Sequence, residues 1–220
     1  MKAGELTTLI IAEVLLTLSV FSAIIALIVF SIRKPIRRHK PIDIAIFDRI
    51  KPIVNETNNK IMLFITFLGK HQFLIPANLI LIFYFLFVTK QNWFSIRVIT
   101  IAISSLALML LLKQLFQRKR PLSPLLKAAK GLSFPSGHAI MAVTFYGLLI
   151  YILQNTISND WLKTLLTILI VILILLIGIS RIYLRVHYAS DVAAGFIIGL
   201  LWLIISLFVL KLLEQYVTSL

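Results

Sequence analysis

The chain has 220 residues, of which 60% are hydrophobic and only 14% are charged, and it contains no cysteine. This composition excludes a disordered chain and disfavours a soluble domain, in which about a quarter of the residues are charged, while the absence of cysteine excludes disulfides, thiolate catalysis and Cys-based zinc sites. The net charge of +14 predicts an anionic partner; nucleic acid fits poorly because most of the chain belongs in lipid, which leaves anionic lipids and phosphorylated ligands.

Apolar runs long enough to cross the hydrocarbon core, which takes about 20 residues, recur along the chain. We predict an all-α fold: an integral membrane bundle of six transmembrane helices that forms one domain over residues 1–220. The predicted spans are Leu6–Ile32, Phe73–Thr89, Val98–Phe116, Ala139–Ile157, Thr164–Ser180 and Val192–Leu210. The first run is too long for a signal-peptide core, so it is interpreted as a retained span, with Glu13 in a structural role.

The segment between the first two spans has its own pattern. Ile42, Ile46, Ile50 and Val54 recur at every fourth residue, which predicts a short amphipathic helix in the membrane interface. The apolar stretch 61–69 is too short to cross and is expected either to pack beside the second span or to extend it. The basic run 33–40 is typical of a headgroup-contacting anchor, with a substrate-attracting patch as the alternative.

The direction of travel places three polar clusters on one membrane face, because the ends of spans one, three and five share a side with the starts of spans two, four and six. Burying an ionisable residue within or at the boundary of a membrane costs free energy, so these residues are functional candidates. Lys113, Arg120 and Arg181 have the chemistry to hold a phosphate group. Their neighbours Arg118, Lys119, Lys127 and Lys130 are interpreted instead as headgroup contacts.

The fourth span opens with Pro135-Ser136-Gly137-His138. Serine is a natural N-cap, the helix start offers free N–H groups to an anion, and glycine permits close approach of the backbone. A plain capped helix start is the alternative, but such a start has no need of the imidazole of His138.

The sixth span opens with His187 and Asp191, which share a helix face at this spacing. The carboxylate can fix the tautomer of the imidazole and leave the other ring nitrogen free to attack; a buried pair that stabilises the bundle is the alternative. A metal site would need a third ligand, and the nearby cations would repel a divalent ion, so no metal or other cofactor is expected. His39 and His71 lie in polar contexts and are interpreted as solvated.

Three motifs stand together in this order: Lys113, six residues, then Arg120-Pro121; Pro135-Ser136-Gly137-His138; and Ser180-Arg181, five residues, His187, three residues, then Asp191. This arrangement resembles the three-part signature of the type 2 phosphatidic acid phosphatase (PAP2) family, which also includes the vanadium haloperoxidases. All three parts match without a substitution across the signature region 113–191, and the six-span pattern extends the likeness over most of the chain.

The resemblance implies a role for each matching residue. His187 would be the nucleophile that forms a phosphohistidine, Asp191 would orient it, and His138 would protonate the leaving oxygen and then activate water. Lys113, Arg120, Arg181, Ser136 and Gly137 would bind the phosphoryl oxygens, and no metal would be needed.

The function implied is a membrane phosphatase that acts on a lipid phosphate or diphosphate, similar to bacterial enzymes of undecaprenyl pyrophosphate or phosphatidylglycerol phosphate. A phosphotransferase with the same histidine chemistry and a non-catalytic anionic-lipid binder or transporter are the alternatives. A haloperoxidase is disfavoured because those relatives are soluble. The positive-inside rule would place the basic motif face in the cytoplasm, whereas the family likeness implies the outer face of a bacterial plasma membrane, which we expect here because functional cations distort the count.

Overall fold

The computed structural model describes residues 41–121, 125 and 131–219. The predicted first span with Glu13, the basic run 33–40 with His39, and the loop residues Lys127 and Lys130 lie outside the described residues. The other predicted elements and all predicted site residues lie within them.

Every regular element in these residues is a helix. In chain order they are α1 (Pro41–Ile50) with a following 3₁₀ turn (Lys51–Ile53), α2 (Glu56–Leu68), α3 (His71–Phe83) continued by a π-helical turn (Tyr84–Val88), α4 (Asn92–Phe116), α5 (Gly137–Thr156), α6 (Asp160–Tyr183) and α7 (Ala189–Thr218).

Five helical stretches in the described part of the chain are long and apolar enough to cross a membrane. They are Glu56–Val88, Asn92–Phe116, Gly137–Thr156, Asp160–Tyr183 and Ala189–Thr218. They correspond to the second to sixth predicted spans, and most run further than predicted because polar residues continue the helices beyond the apolar runs. The all-α integral membrane bundle is therefore confirmed.

The short amphipathic helix is present as α1, and it packs against the chain that follows α6. Ile50 and Val54 contact the buried cluster of Tyr183, Leu184 and Val186. The stretch 61–69 belongs to α2, which is capped at its start by the Asn55 side chain. The hydroxyl of Tyr183 donates to Asn59 Oδ1 at 2.9 Å, which holds α2 against the end of α6.

The centre of the bundle is α5, in which nine of the 20 residues are buried and only the last three are exposed. Helix α7 approaches it closely at Gly195, where an added Cβ would lie 2.8 Å from the Ala139 Cβ and 2.9 Å from the Ser136 carbonyl oxygen. Small residues allow such contact between membrane helices, for which lipid supplies little hydrophobic driving force. This contact joins the first turn of α5 to the first turns of α7, where the signature residues lie.

Candidate active site

The structure brings all eight predicted site residues to one end of the bundle. Lys113 lies near the end of α4, and Arg120 follows that helix. The start of α5 is formed by Ser136, Gly137 and His138. Arg181 lies in the last turn of α6, and His187 and Asp191 flank the start of α7. The convergence predicted from the direction of the spans is thus observed in the three-dimensional structure.

The three cations are held by fixed partners around a common cavity. Lys113 Nζ donates to the Leu132 carbonyl at 2.8 Å, and Arg120 Nη1 donates to the Val186 carbonyl at 2.9 Å. Arg181 Nη1 donates to Thr66 Oγ1 at 2.6 Å. Burial lowers the pKa of Arg120, and the charge of Asp191 opposes that shift. Positive groups fixed in advance can stabilise an anion without reorganising when it binds.

The start of α5 differs in one respect from the predicted N-cap. Ser136 occupies the N-cap position, but its hydroxyl makes no capping hydrogen bond. Ser136 Oγ and His138 Nε2 are both buried and have no hydrogen-bond partner among the described residues. An unpaired buried polar atom is costly, and the first N–H groups of a helix lack intrahelical partners. This turn is therefore suited to an anionic ligand.

His187 and Asp191 form a buried pair, but not on one helix face as predicted, because His187 precedes α7 and only Asp191 lies in its first turn. His187 Nδ1 lies 3.7 Å from Asp191 Oδ2, and Ser133 Oγ, which donates to the same oxygen at 2.5 Å, lies 3.5 Å from Nδ1. His187 Nε2 faces Arg120 Nη1 at 3.5 Å. Burial, helped by Arg120 and Arg181 and opposed by Asp191, lowers the pKa of His187 to about 4. The imidazole is therefore neutral at pH 7, the form in which a ring nitrogen can attack.

The interpretation of Arg118 as a headgroup contact is wrong. Its side chain is buried and forms ion pairs with Asp191 at 2.5 Å and with Asp43 at 2.8 Å. The adjacent Lys119 is exposed, as expected. Nothing in the sequence separates these two residues, because the carboxylates that receive Arg118 are more than 70 positions away from it along the chain.

A cavity of about 600 Å³ joins the polar cluster to an apolar groove. Its polar end is lined by Lys113, Arg120, Gly137, His138, Arg181 and His187. Its apolar walls are formed by side chains of α3 and α4, among them Leu74, Leu79, Ile82, Ile99, Ala102 and Leu106. Ile75 and Ile103, which also line the groove, are more than half exposed, so the groove is accessible from the lipid-facing surface.

Several residues of the site were not predicted. Ser133, Thr66 and Arg118 are buried and contact predicted site residues. Asp43 is also buried and pairs with Arg118. His71, interpreted as a solvated loop residue, is exposed but begins α3 and lines the cavity. A hydroxyl in an apolar run or a carboxylate in a short amphipathic helix has no sequence pattern that would mark it as part of the site.

Within the described residues, no group of three His, Cys, Asp or Glu side chains could hold a metal ion.

Comparison with known proteins gives consistent matches. Residues 94–213 match the PAP2 superfamily. Phosphatidylglycerophosphatase B of Bacillus subtilis (strain 168) is 33% identical over 144 residues, which cover 65% of this chain and 70% of that protein.

Solved structures match over more of the chain. The crystal structure of a transmembrane PAP2-type phosphatidylglycerolphosphate phosphatase from Bacillus subtilis has a TM-score of 0.72 at 28% identity, covering 86% of this chain and 94% of that one. The crystal structure of Aquifex aeolicus LpxE has a TM-score of 0.60 at 26% identity, covering 78% of this chain and 98% of that one. The chain therefore belongs to the PAP2 superfamily and is an integral membrane phosphatase of that family.

Proposed function

We propose that this phosphatase hydrolyses a membrane lipid phosphate or diphosphate through a phosphohistidine on His187. The observation that carries the proposal is the cavity, which connects a cluster of cations and histidines to an apolar groove between α3 and α4. A phosphate group fits the polar end, while an acyl or prenyl chain lies in the groove and remains in contact with lipid. A site for water-soluble phosphoesters would not need such a groove.

In the first step, the neutral His187 attacks phosphorus through Nε2, the nitrogen on the side of Arg120. The bond from phosphorus to the lipid oxygen breaks as the P–N bond forms, and His138 donates its proton to the departing alkoxide. Lys113, Arg120 and Arg181 hold the phosphoryl oxygens, assisted by the Ser136 hydroxyl and the N–H of Gly137. Asp191, whose Oδ2 lies 3.7 Å from Nδ1, stabilises the positive charge that develops on the imidazole.

In the second step, water enters where the lipid oxygen has left and attacks phosphorus, displacing the His187 nitrogen. His138, now neutral, takes a proton from the water, the P–N bond breaks, and inorganic phosphate leaves with His187 restored. The fixed cations supply the charge stabilisation at phosphorus, and the general acid assists a poor leaving group by about 10²–10⁴-fold.

The substrate is proposed to be of the phosphatidylglycerol phosphate or undecaprenyl pyrophosphate type. The phosphatidylglycerol phosphate type is supported by the names of the matching Bacillus subtilis protein and Bacillus subtilis crystal structure, which state the same activity. The groove follows α3 from His71 to Ile82, about 16 Å at the helical rise per residue, which accommodates a long hydrocarbon chain rather than a compact metabolite.

The groove can be tested by filling it. Ala102 lines the groove, and Ala102→Phe adds a ring between α3 and α4. Overpacking costs about 1–3 kcal/mol, so we expect kcat/KM for a long-chain lipid phosphate to fall about tenfold, with little change for p-nitrophenyl phosphate. The matched control is Ala107→Phe, since Ala107 is exposed on the same helix and does not line the cavity. Equal losses for both substrates, or equal effects of both variants, would contradict the role of the groove.

The site is further proposed to face the outer side of a bacterial plasma membrane. The chain has no cysteine, so Lys119→Cys places a single thiol on an exposed residue beside the site. A membrane-impermeant maleimide should label this variant in intact cells. Labelling only after the membrane is permeabilised would place the site in the cytoplasm instead.

A further inference from the structure

Arg118 lies between two buried carboxylates, Asp43 and Asp191, that are far apart in the sequence. Its Nη1 donates to Asp191 Oδ1 at 2.5 Å, and its Nη2 donates to Asp43 Oδ2 at 2.8 Å. Asp43 belongs to the interfacial helix α1, whereas Asp191 lies in the first turn of α7. One guanidinium therefore connects α1 to the carboxylate that lies beside His187.

Ser190 closes this arrangement. Its backbone N–H donates to Asp43 Oδ1 at 3.0 Å and its hydroxyl donates to Asp43 Oδ2 at 2.8 Å. Arg118 Nη1 also donates to Ser190 Oγ at 2.7 Å. The guanidinium carbon lies 4.3 Å from the centre of the Tyr188 ring, which in turn packs against Phe47 of α1. Asp43 and Arg118 are consequently held in one geometry from several sides.

Arg118 does not line the cavity that contains Lys113, Arg120 and Arg181. Its charge is directed to the far side of Asp191, away from the place where a phosphate would bind. On the near side, Asp191 Oδ2 accepts from Ser133 Oγ and from the Tyr188 N–H at 2.9 Å. Each oxygen of Asp191 is thereby oriented, with Oδ2 toward the imidazole of His187.

The charges of the group explain why two carboxylates are present. A lone Arg118 would neutralise Asp191 and weaken its attraction for a positively charged imidazole. With Asp43 also paired to Arg118, the three side chains together keep one net negative charge beside His187. In a buried site that charge is weakly screened, so it can stabilise the imidazolium that forms as the P–N bond is made.

We propose that Arg118 and Asp43 are positioning residues that fix and charge-balance Asp191, so that helix α1 is part of the support of the catalytic histidine. The inference rests on the proposed role of His187 as nucleophile. Asp43 and Arg118 touch neither the substrate nor the reacting atoms, so their contribution appears in kcat rather than in KM.

The test uses variants that remove charge with little change in size, in the full-length protein purified in detergent. The variants are Asp43→Asn and Arg118→Gln, and Arg118→Lys retains the charge without the planar fork. Their matched controls are Asp48→Asn and Lys119→Gln, because Asp48 and Lys119 are exposed residues of the same helix and the same loop. Phosphate release from phosphatidylglycerol phosphate gives kcat and KM, and the melting temperature reports folding.

We expect Arg118→Gln to lower kcat about 100-fold with KM changed less than about threefold, because misplacement of a catalytic group by about 1 Å costs this much. Asp43→Asn should lower kcat about tenfold, with the controls unaffected. Arg118→Lys should recover part of the loss. In an Asp191→Asn background, Asp43→Asn should change kcat less than about twofold, because residues that act through one another are not additive.

A melting temperature lowered in Asp43→Asn while kcat equals that of the wild type would overturn the proposal and leave a purely structural ion pair. Full additivity of Asp43→Asn with Asp191→Asn would also overturn it. If Arg118→Gln does not fold, the milder Asp43→Asn decides the question by the same two criteria. Retained activity in His187→Ala would instead contradict the proposed function, so the two failures are distinguishable.

Discussion

Replacement of His187 by alanine is expected to abolish phosphate release, with kcat reduced by at least about 10⁴-fold. His187 is buried, neutral at pH 7 and directed by Nε2 toward the cation-lined cavity. In the variant, water would have to attack the lipid phosphate directly, because the covalent step that the imidazole provides is lost. The measurement is phosphate release from phosphatidylglycerol phosphate by purified wild type and variant at equal concentration.

Folding of the His187→Ala variant is checked by its melting temperature and by its elution as a single species in detergent. Binding of a lipid phosphate should persist, because Lys113, Arg120 and Arg181 remain in place. A folded variant that turns over at the wild-type rate would rule out His187 as nucleophile, since no other group in the proposed mechanism could replace it.

Replacement of His138 by alanine should have an effect that depends on the leaving group. With a lipid alkoxide, loss of the general acid is expected to lower the rate of the first step by about 10²–10⁴-fold. With p-nitrophenyl phosphate, whose leaving group needs little protonation, the first step should be much less affected. The second step still lacks its base, so a phosphohistidine should accumulate and be visible as acid-labile label on the protein after rapid quenching.

The matching control is the double variant His138→Ala/His187→Ala, in which no label should appear. Equal rate losses with the alkyl and the nitrophenyl substrate would show that His138 does not act on the leaving oxygen. Label that resists acid, or that persists in the double variant, would point to a nucleophile other than His187.

The sequence was sufficient to predict those parts of the structure that follow from local pattern. Hydropathy located the five spans that are described, because each must cross the same thickness of hydrocarbon. The direction of travel then placed Lys113, His138 and His187 on one face, since successive spans alternate in direction. The recurrence of isoleucine at every fourth residue, at Ile42, Ile46 and Ile50, predicted α1.

Contacts between segments far apart in the sequence could not be predicted from such local patterns. Arg118 and Lys119 are adjacent basic residues, yet one is buried between Asp43 and Asp191 and the other is exposed. Gln117, in the left-handed conformation, ends α4 just before these residues, so the periodicity of α4 does not extend to them. Thr66 likewise stands in an apolar run, and only the packing of α2 against α6 brings its hydroxyl to Arg181.

The most direct test of the central claim is phosphate release by the purified wild-type protein in detergent with EDTA present. The substrates are phosphatidylglycerol phosphate, undecaprenyl pyrophosphate, phosphatidic acid and p-nitrophenyl phosphate. The proposed function predicts EDTA-resistant release from at least one of the first two, at a higher kcat/KM than from p-nitrophenyl phosphate. Binding of these lipids without release of phosphate from any of them would contradict the proposed hydrolysis.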